Sequence, residues 1–190
     1  MGYIAGIKLL AAVIIRQVSG AWPRFGDTPL YIIPVAILLS TPFQAGEEIG
    51  WRGYALPRLA SRFRLAPASV LLGVCWAFWH LPQFFIPEAD TYGQSFLVYG
   101  LEVTALSVAL ARLWARTRGS LLLPMILHAA VNNSKDIVPS AVSGASNSFA
   151  LTGSVVGWTT VALLWACTAY FLVGMRKHES CAPGPVDTVD

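Results

Sequence analysis

Residues 95–114 read SFLVYGLEVTALSVALARLW, an apolar run with only two charged side chains. A helix needs about 20 residues to cross a hydrocarbon core of roughly 30 Å, and this run has that length. Further apolar segments lie on both sides of it, at residues 3–20, 29–56, 68–86, 120–134 and 152–174. The sequence therefore predicts an all-α fold, a polytopic membrane helical bundle of about six transmembrane helices.

The composition agrees with a membrane protein. Of the 190 residues, 55% are hydrophobic and 12% are charged, whereas soluble domains are about 25% charged. The net charge of +3 gives no reason to expect a nucleic-acid partner, so membrane lipid is the expected surrounding. The cysteines are far apart and form no C-x-x-C pair, which argues against a disulfide framework or a thiolate metal site.

Basic residues are concentrated in alternate connections. They occur at 57–67, at 115–119 and after 174, whereas 87–94 has none and 135–151 has one lysine. The positive-inside rule then predicts that the arginine-rich connections and both termini are cytoplasmic. We expect residues 1–174 to form the membrane domain and residues 175–190 a disordered cytoplasmic tail. Abundant alanine, arginine and glycine suggest a bacterial cytoplasmic membrane.

Three apolar segments carry polar side chains that lipid should exclude. They are Glu47, Glu48 and Arg52, then His80, then His128 and Asn132. Such residues usually face a bundle interior or a water-filled cavity, where they mark a site. One glutamate and two histidines could activate a water molecule as bases or as metal ligands, which indicates a membrane-embedded hydrolase. Glu102 could line the same cavity or make a helix–helix hydrogen bond, and we favour the second.

The position of Arg52 in the first polar group predicts different roles for Glu47 and Glu48. Glu48 and Arg52 are four residues apart, so they meet on one helix face in the order that favours an ion pair. Glu47 lies about 100° round the helix from Glu48 and need not share that partner. Glu47 is therefore the acid available as a general base.

The other two groups add hydrogen-bond donors at a similar depth. His128 and Asn132 are four residues apart, and both could donate to one small target, as an oxyanion hole requires. His80 follows Trp76 by four residues, which predicts an aromatic ring beside it. Counted from the arginine-rich ends, Glu47 and the histidines lie roughly 12–18 Å deep. We therefore expect a shared cavity on the cytoplasmic side of the midplane.

Together these residues resemble a known set of motifs. In order along the chain they are Glu47-Glu48-x-x-x-Arg52-Gly53, Trp76-x-x-x-His80 and His128-x-x-x-Asn132. They are similar to the three motifs of the CAAX prenyl endopeptidase type II family of intramembrane proteases. This family is also called CPBP or abortive-infection, and the motif core is 47–132. Trp76 stands where the family usually has Phe. Members commonly carry more N-terminal helices, so we expect a bundle that is short there.

The resemblance implies an intramembrane endopeptidase that cuts a peptide bond near the cytoplasmic side of the membrane. Glu47 and His80 would hold and activate the attacking water. His128 and Asn132 would stabilise the tetrahedral oxyanion. The substrate would be a membrane-associated peptide or protein, and prenylated tails, peptide pheromones, bacteriocin leaders and anti-sigma-type proteins are all compatible.

The sequence allows two possibilities for the cofactor, either none or Zn²⁺. Family descriptions include a metalloprotease, and Glu47, His80 and His128 would be the ligands if a metal is used. The sequence has no H-E-x-x-H, and we favour a metal-independent water. The Glu48–Arg52 pair is then expected to brace the first motif.

Two readings from other classes compete with the enzyme. A non-catalytic membrane immunity or scaffold protein of the same family would keep the polar cluster for helix packing. An ion or proton transporter would also explain buried glutamate and histidine. A transporter needs polar positions that continue to the other membrane face, and the outer halves of these segments lack them.

Overall fold

The computed structural model describes residues 2–180 apart from 24, 27, 28, 90, 94 and 135–154. Helices are the only regular elements in this part of the chain. They are α1 (Gly2–Ser19), α2 (Ile32–Ser40), α3 (Ala45–Glu48), α4 (Leu56–Phe63), α5 (Leu65–Trp79), α6 (Phe96–Arg116), α7 (Leu122–Asn133) and α8 (Val155–Ser180). Shorter helical turns are Thr41–Gln44 and Leu81–Phe85, both 3-10, and the π-helical turn Ile49–Ala55.

The predicted fold class is confirmed, because the protein is an all-α membrane helical bundle. Each of the six apolar segments coincides with one helix or with a run of consecutive helices. Three stretches in the described part of the chain are long and apolar enough to cross a membrane by length and composition. They are Leu65–Phe85, Phe96–Arg116 and Val155–Met175.

The second segment is an interrupted helix, and it runs to Phe63 where the sequence predicted an end at 56. Pro42 lies just after α2, where its missing N–H and fixed φ favour a break in the helix. A 3-10 turn, α3, a π-helical turn and α4 follow without a connecting loop. Arg64 then has φ of 67°, the left-handed conformation, and joins α4 directly to α5. The chain thereby turns back on itself next to the first motif.

Close packing between α5 and α6 forms the centre of the bundle. A Cβ atom added at Gly73 would lie 2.7 Å from Cα of Thr104, so only glycine permits this approach. The Ser107 hydroxyl donates to the carbonyl oxygen of Ser69 at 2.9 Å, which ties the two helices together. Helix α6 also packs against α7 and α8. Its contact with α5 therefore sets the position of α5 relative to those two helices.

The last helix continues past the predicted membrane domain. Helix α8 reaches Ser180, so residues 175–180 of the expected disordered tail are helical. Their sequence, MRKHES, contains no glycine or proline that would stop a helix. Residues 181–190 of the tail and the connection at 135–151 lie outside the described residues. The orientation of the termini stays a prediction.

The span Leu65–Phe85 makes a testable prediction about topology. Helix α4 before it, bearing Ser61, and the connection after it, bearing Glu88, should lie on opposite membrane faces. In a background without native cysteines, we expect Ser61→Cys and Glu88→Cys to react with a membrane-impermeant maleimide from opposite sides. Both side chains are exposed, so access does not limit the reaction. Labelling of both from one side would contradict this path of α5.

Candidate active site

One internal cavity of about 660 Å³ brings the candidate catalytic residues together. Glu47 reaches it from α3, and His80 from the residue directly after α5. His128 and Asn132 reach it from successive turns of α7. The three motifs, separated along the chain, therefore meet around one space, as the sequence predicted. Their catalytic roles stay predictions.

The backbone of the first motif gives its two acids different surroundings. Helix α3 ends at Glu48, and the next seven residues form a π-helical turn. Such wide turns are rare and frequently occur at functional sites. Glu48 is fully buried, whereas Glu47 is half-buried and lines the cavity. The predicted division between a structural acid and an available acid agrees with this arrangement.

Glu48 connects the first motif to the third. Its Oε1 accepts a hydrogen bond from Arg52 Nη1 at 2.9 Å, the ion pair predicted from their spacing. The same oxygen lies 2.8 Å from Nδ1 of His128. Arg52 is fully buried and His128 is 4% exposed, so both contacts are shielded from water. Sequence reasoning missed the contact with His128, because no local spacing links residues 80 positions apart.

Hydrogen bonds to the histidines determine which ring nitrogen is available. His80 Nδ1 lies 2.9 Å from the backbone oxygen of Trp76, which can only accept, so Nδ1 carries the proton. In the neutral ring, Nε2 of His80 then has a free lone pair and suits a base. His128 Nδ1 similarly faces the Glu48 carboxylate. Nε2 of His128 is therefore the ring nitrogen that is not engaged by Glu48.

Trp76 contacts all three motifs. Its ring lies beside His80 with centroids 5.9 Å apart, as predicted. It also meets His128 edge-on at 5.1 Å and lies under the Arg52 guanidinium at 4.4 Å. Its indole Nε1 donates to Oε2 of Glu47 at 2.7 Å, a bond that we did not predict. The sequence contains an indication of this bond, because a buried indole N–H usually finds an acceptor.

The end of α7 is tied to the interrupted second segment. Asn132 Nδ2 donates to Gln44 Oε1 at 3.4 Å, a long bond on an exposed side chain. The neighbouring Asn133 Nδ2 donates to Ser40 Oγ at 2.7 Å. Gln44 and Ser40 belong to no motif, and nothing in the sequence marked them. They hold the last turn of α7 against the 3-10 turn that precedes Glu47.

Three further charged side chains line the cavity: Lys8, Glu88 and Glu102. Glu102 does so from α6, which is one of the two roles that the sequence allowed for it. Lys8 of α1 is only 7% exposed. The cavity wall thus includes charged groups beyond the three motifs.

The predicted metal ligands do not form a metal-binding cluster in the described residues. Within that part of the chain, no three His, Cys, Asp or Glu side chains are placed to hold a metal ion. Two of the predicted ligands also have protein partners, since Glu47 accepts from Trp76 and His128 contacts Glu48. The metal-independent water stays a prediction.

Distances along the helices differ between the two histidines. Helix α5 begins at Leu65, three residues earlier than expected, and its 15 residues place His80 about 22 Å from that end. Helix α7 begins at Leu122, which places His128 about 9 Å from the end next to the second arginine-rich connection. Gln83 and Glu88, at and beyond the other end of the span Leu65–Phe85, also line the cavity. The depth of the site in the membrane stays a prediction.

These features define a class of protein. It is an integral membrane helical bundle with an internal polar cavity, in which a carboxylate, two imidazoles and a carboxamide converge.

Comparison with known proteins gives the family. The Type II CAAX prenyl endopeptidase Rce1-like family matches residues 27–134, and the chain belongs to it. The chain is also 32% identical over 130 residues to CAAX prenyl protease 2 of Methanococcus maripaludis. That match covers 64% of this chain and 45% of the relative, so the chain spans less than half of the relative's length. The predicted family is confirmed.

Proposed function

We propose that the protein is an intramembrane endopeptidase that hydrolyses a peptide bond with a water molecule activated by Glu47 and His80. The observation that carries the proposal is the convergence of Glu47, His80, His128 and Asn132 on one cavity inside a membrane bundle. Membership of an endopeptidase family and the printed name of the Methanococcus relative give it further support.

In the proposed reaction, Glu47 is the general base. Trp76 occupies its Oε2, so Oε1 takes a proton from the water while Nε2 of His80 accepts the other hydrogen bond. The water oxygen attacks the carbonyl carbon of the scissile bond and forms a tetrahedral oxyanion. As the carbon–nitrogen bond breaks, the proton on Glu47 passes to the leaving amine.

The oxyanion needs donors in a site with little water. Asn132 Nδ2 is one candidate, because its bond to Gln44 is long and therefore readily exchanged. Nε2 of His128 is the second when that nitrogen carries a proton, and the contact of Nδ1 with Glu48 fixes the orientation of the ring. Preorganised donors of this kind usually contribute the largest electrostatic part of catalysis.

We propose a membrane-associated peptide or protein segment as substrate. A cavity of this size, bounded by membrane helices, suits an extended segment that arrives from the lipid or from the membrane surface. We propose that the bond is cut near the cytoplasmic side of the membrane, as the sequence predicts.

Replacement of Glu47 tests the proposal. Glu47→Gln keeps the shape of the side chain and removes the base, so we expect kcat to fall by roughly 10²–10⁴. The assay uses purified protein in detergent and a library of quenched fluorogenic membrane peptides, one of them farnesylated on a C-terminal CAAX sequence. Glu88→Gln, which changes an exposed acid of the same cavity, should keep activity.

Retained cleavage in Glu47→Gln would contradict the proposal. Rescue of a cellular phenotype by that inactive variant would favour the non-catalytic scaffold. The same cleavage assay with a chelator tests whether a metal is needed. Activity that survives chelation is metal-independent, and activity that is lost and then restored by zinc is metal-dependent.

The oxyanion role makes a separate prediction. Asn132→Ala should lower kcat by roughly 10²–10³, because one donor to the developing charge is lost. Asn133→Ala is the matched control, since it removes an amide one position along that bonds Ser40 and the Ala129 carbonyl. The control should lower the unfolding temperature and leave kcat nearly unchanged. A decrease below tenfold in Asn132→Ala would exclude the role.

A further inference from the structure

We propose that Trp76 is a positioning residue whose indole N–H fixes the Glu47 carboxylate in the orientation that the reaction needs. The inference rests on the proposed function for its catalytic meaning. The hydrogen bond and the rigidity of the ring rest on the structure alone.

The bond itself is short and shielded. Trp76 Nε1 lies 2.7 Å from Oε2 of Glu47, and Trp76 is 2% exposed. The indole nitrogen can only donate, so its partner must be an acceptor such as this carboxylate oxygen. Among the described residues, this is the one hydrogen bond to the Glu47 side chain. Within that part of the chain, the indole N–H is therefore the donor that orients this half-buried carboxylate.

The Trp76 ring, which supplies the donor, contacts side chains of the first and third motifs. The Arg52 guanidinium lies over it at 4.4 Å, and the edge of the His128 ring meets it at 5.1 Å. The backbone oxygen of Trp76 holds Nδ1 of His80 at 2.9 Å. A displacement of Trp76 would disturb all three motifs, so the N–H stays at a fixed place relative to both histidines.

A fixed donor has a consequence for the reaction. A glutamate side chain has three rotatable bonds, and a carboxylate held by one oxygen presents the other to the cavity in a restricted range. Positioning of a base in this way raises the rate of the chemical step without adding contacts to the substrate. Loss of the N–H should therefore lower kcat and leave KM almost unchanged.

Trp76→Phe isolates the N–H. Phenylalanine keeps an aromatic face for Arg52 and an edge contact for His128, but it has no donor for Glu47. Trp165→Phe is the matched control, because the Trp165 indole donates to the Leu101 carbonyl oxygen at 3.2 Å, away from the cavity. We expect kcat of Trp76→Phe to fall at least about tenfold, with KM within about twofold of wild type. Trp165→Phe should keep kcat.

A spectroscopic measurement tests the bond without an assay. With ¹⁵N-labelled tryptophan, the indole signal of Trp76 is identified by its loss in Trp76→Phe, and that of Trp165 by its loss in Trp165→Phe. In Glu47→Ala the Trp76 signal should move upfield, because a strong acceptor has gone, while the Trp165 signal stays. An unmoved Trp76 signal would overturn the proposed bond.

The two measurements separate the two proposals. If wild type cleaves none of the fluorogenic peptides, the proposed function is contradicted. The indole signal of Trp76 then still decides whether Trp76 bonds Glu47. If wild type is active and Trp76→Phe keeps its kcat, the positioning role is overturned and the proposed function stands.

Discussion

The buried carboxylate of Glu48 is the constraint on which the site depends. It accepts from Arg52 within its own helical run and contacts His128 on α7, and both partners are shielded from water. Removal of one partner from a buried ion pair typically costs about 3–5 kcal/mol, because a charge is left uncompensated. The contact between Glu48 and His128 forms only when α7 lies against the first motif, and that packing also brings Asn132 to the cavity.

Trp76 adds the second connection, between the first motif and α5. Its N–H holds Glu47 while its backbone oxygen orients His80, so these two side chains share one anchor. The two adjacent glutamates thus differ in their partners. Glu48 contacts Arg52 and His128 inside the protein, and Glu47 accepts from a neutral donor at the cavity. This difference supports the proposal that Glu48 is structural and Glu47 is the base.

Much of the fold and the local part of the site could be predicted, because both depend on short-range patterns. Apolar length gives the helices, and a spacing of four gives the Glu48–Arg52 pair and the shared face of His128 and Asn132. The contacts that assemble the site could not be predicted. The Glu48–His128 contact joins distant residues, and the bond from Trp76 to Glu47 depends on how α5 packs. The depth of the cavity in the membrane stays a prediction, because it depends on where the bilayer lies around these helices.

The most direct test of the account is a double-mutant cycle between Glu48 and His128. It compares the unfolding free energies, in mixed detergent micelles, of wild type, Glu48→Gln, His128→Phe and the double variant. Residues that share a buried hydrogen bond show coupling energies of about 0.5–3 kcal/mol, and we expect at least about 1 kcal/mol here. Additive effects, with coupling below about 0.5 kcal/mol, would contradict a site assembled around the Glu48 carboxylate.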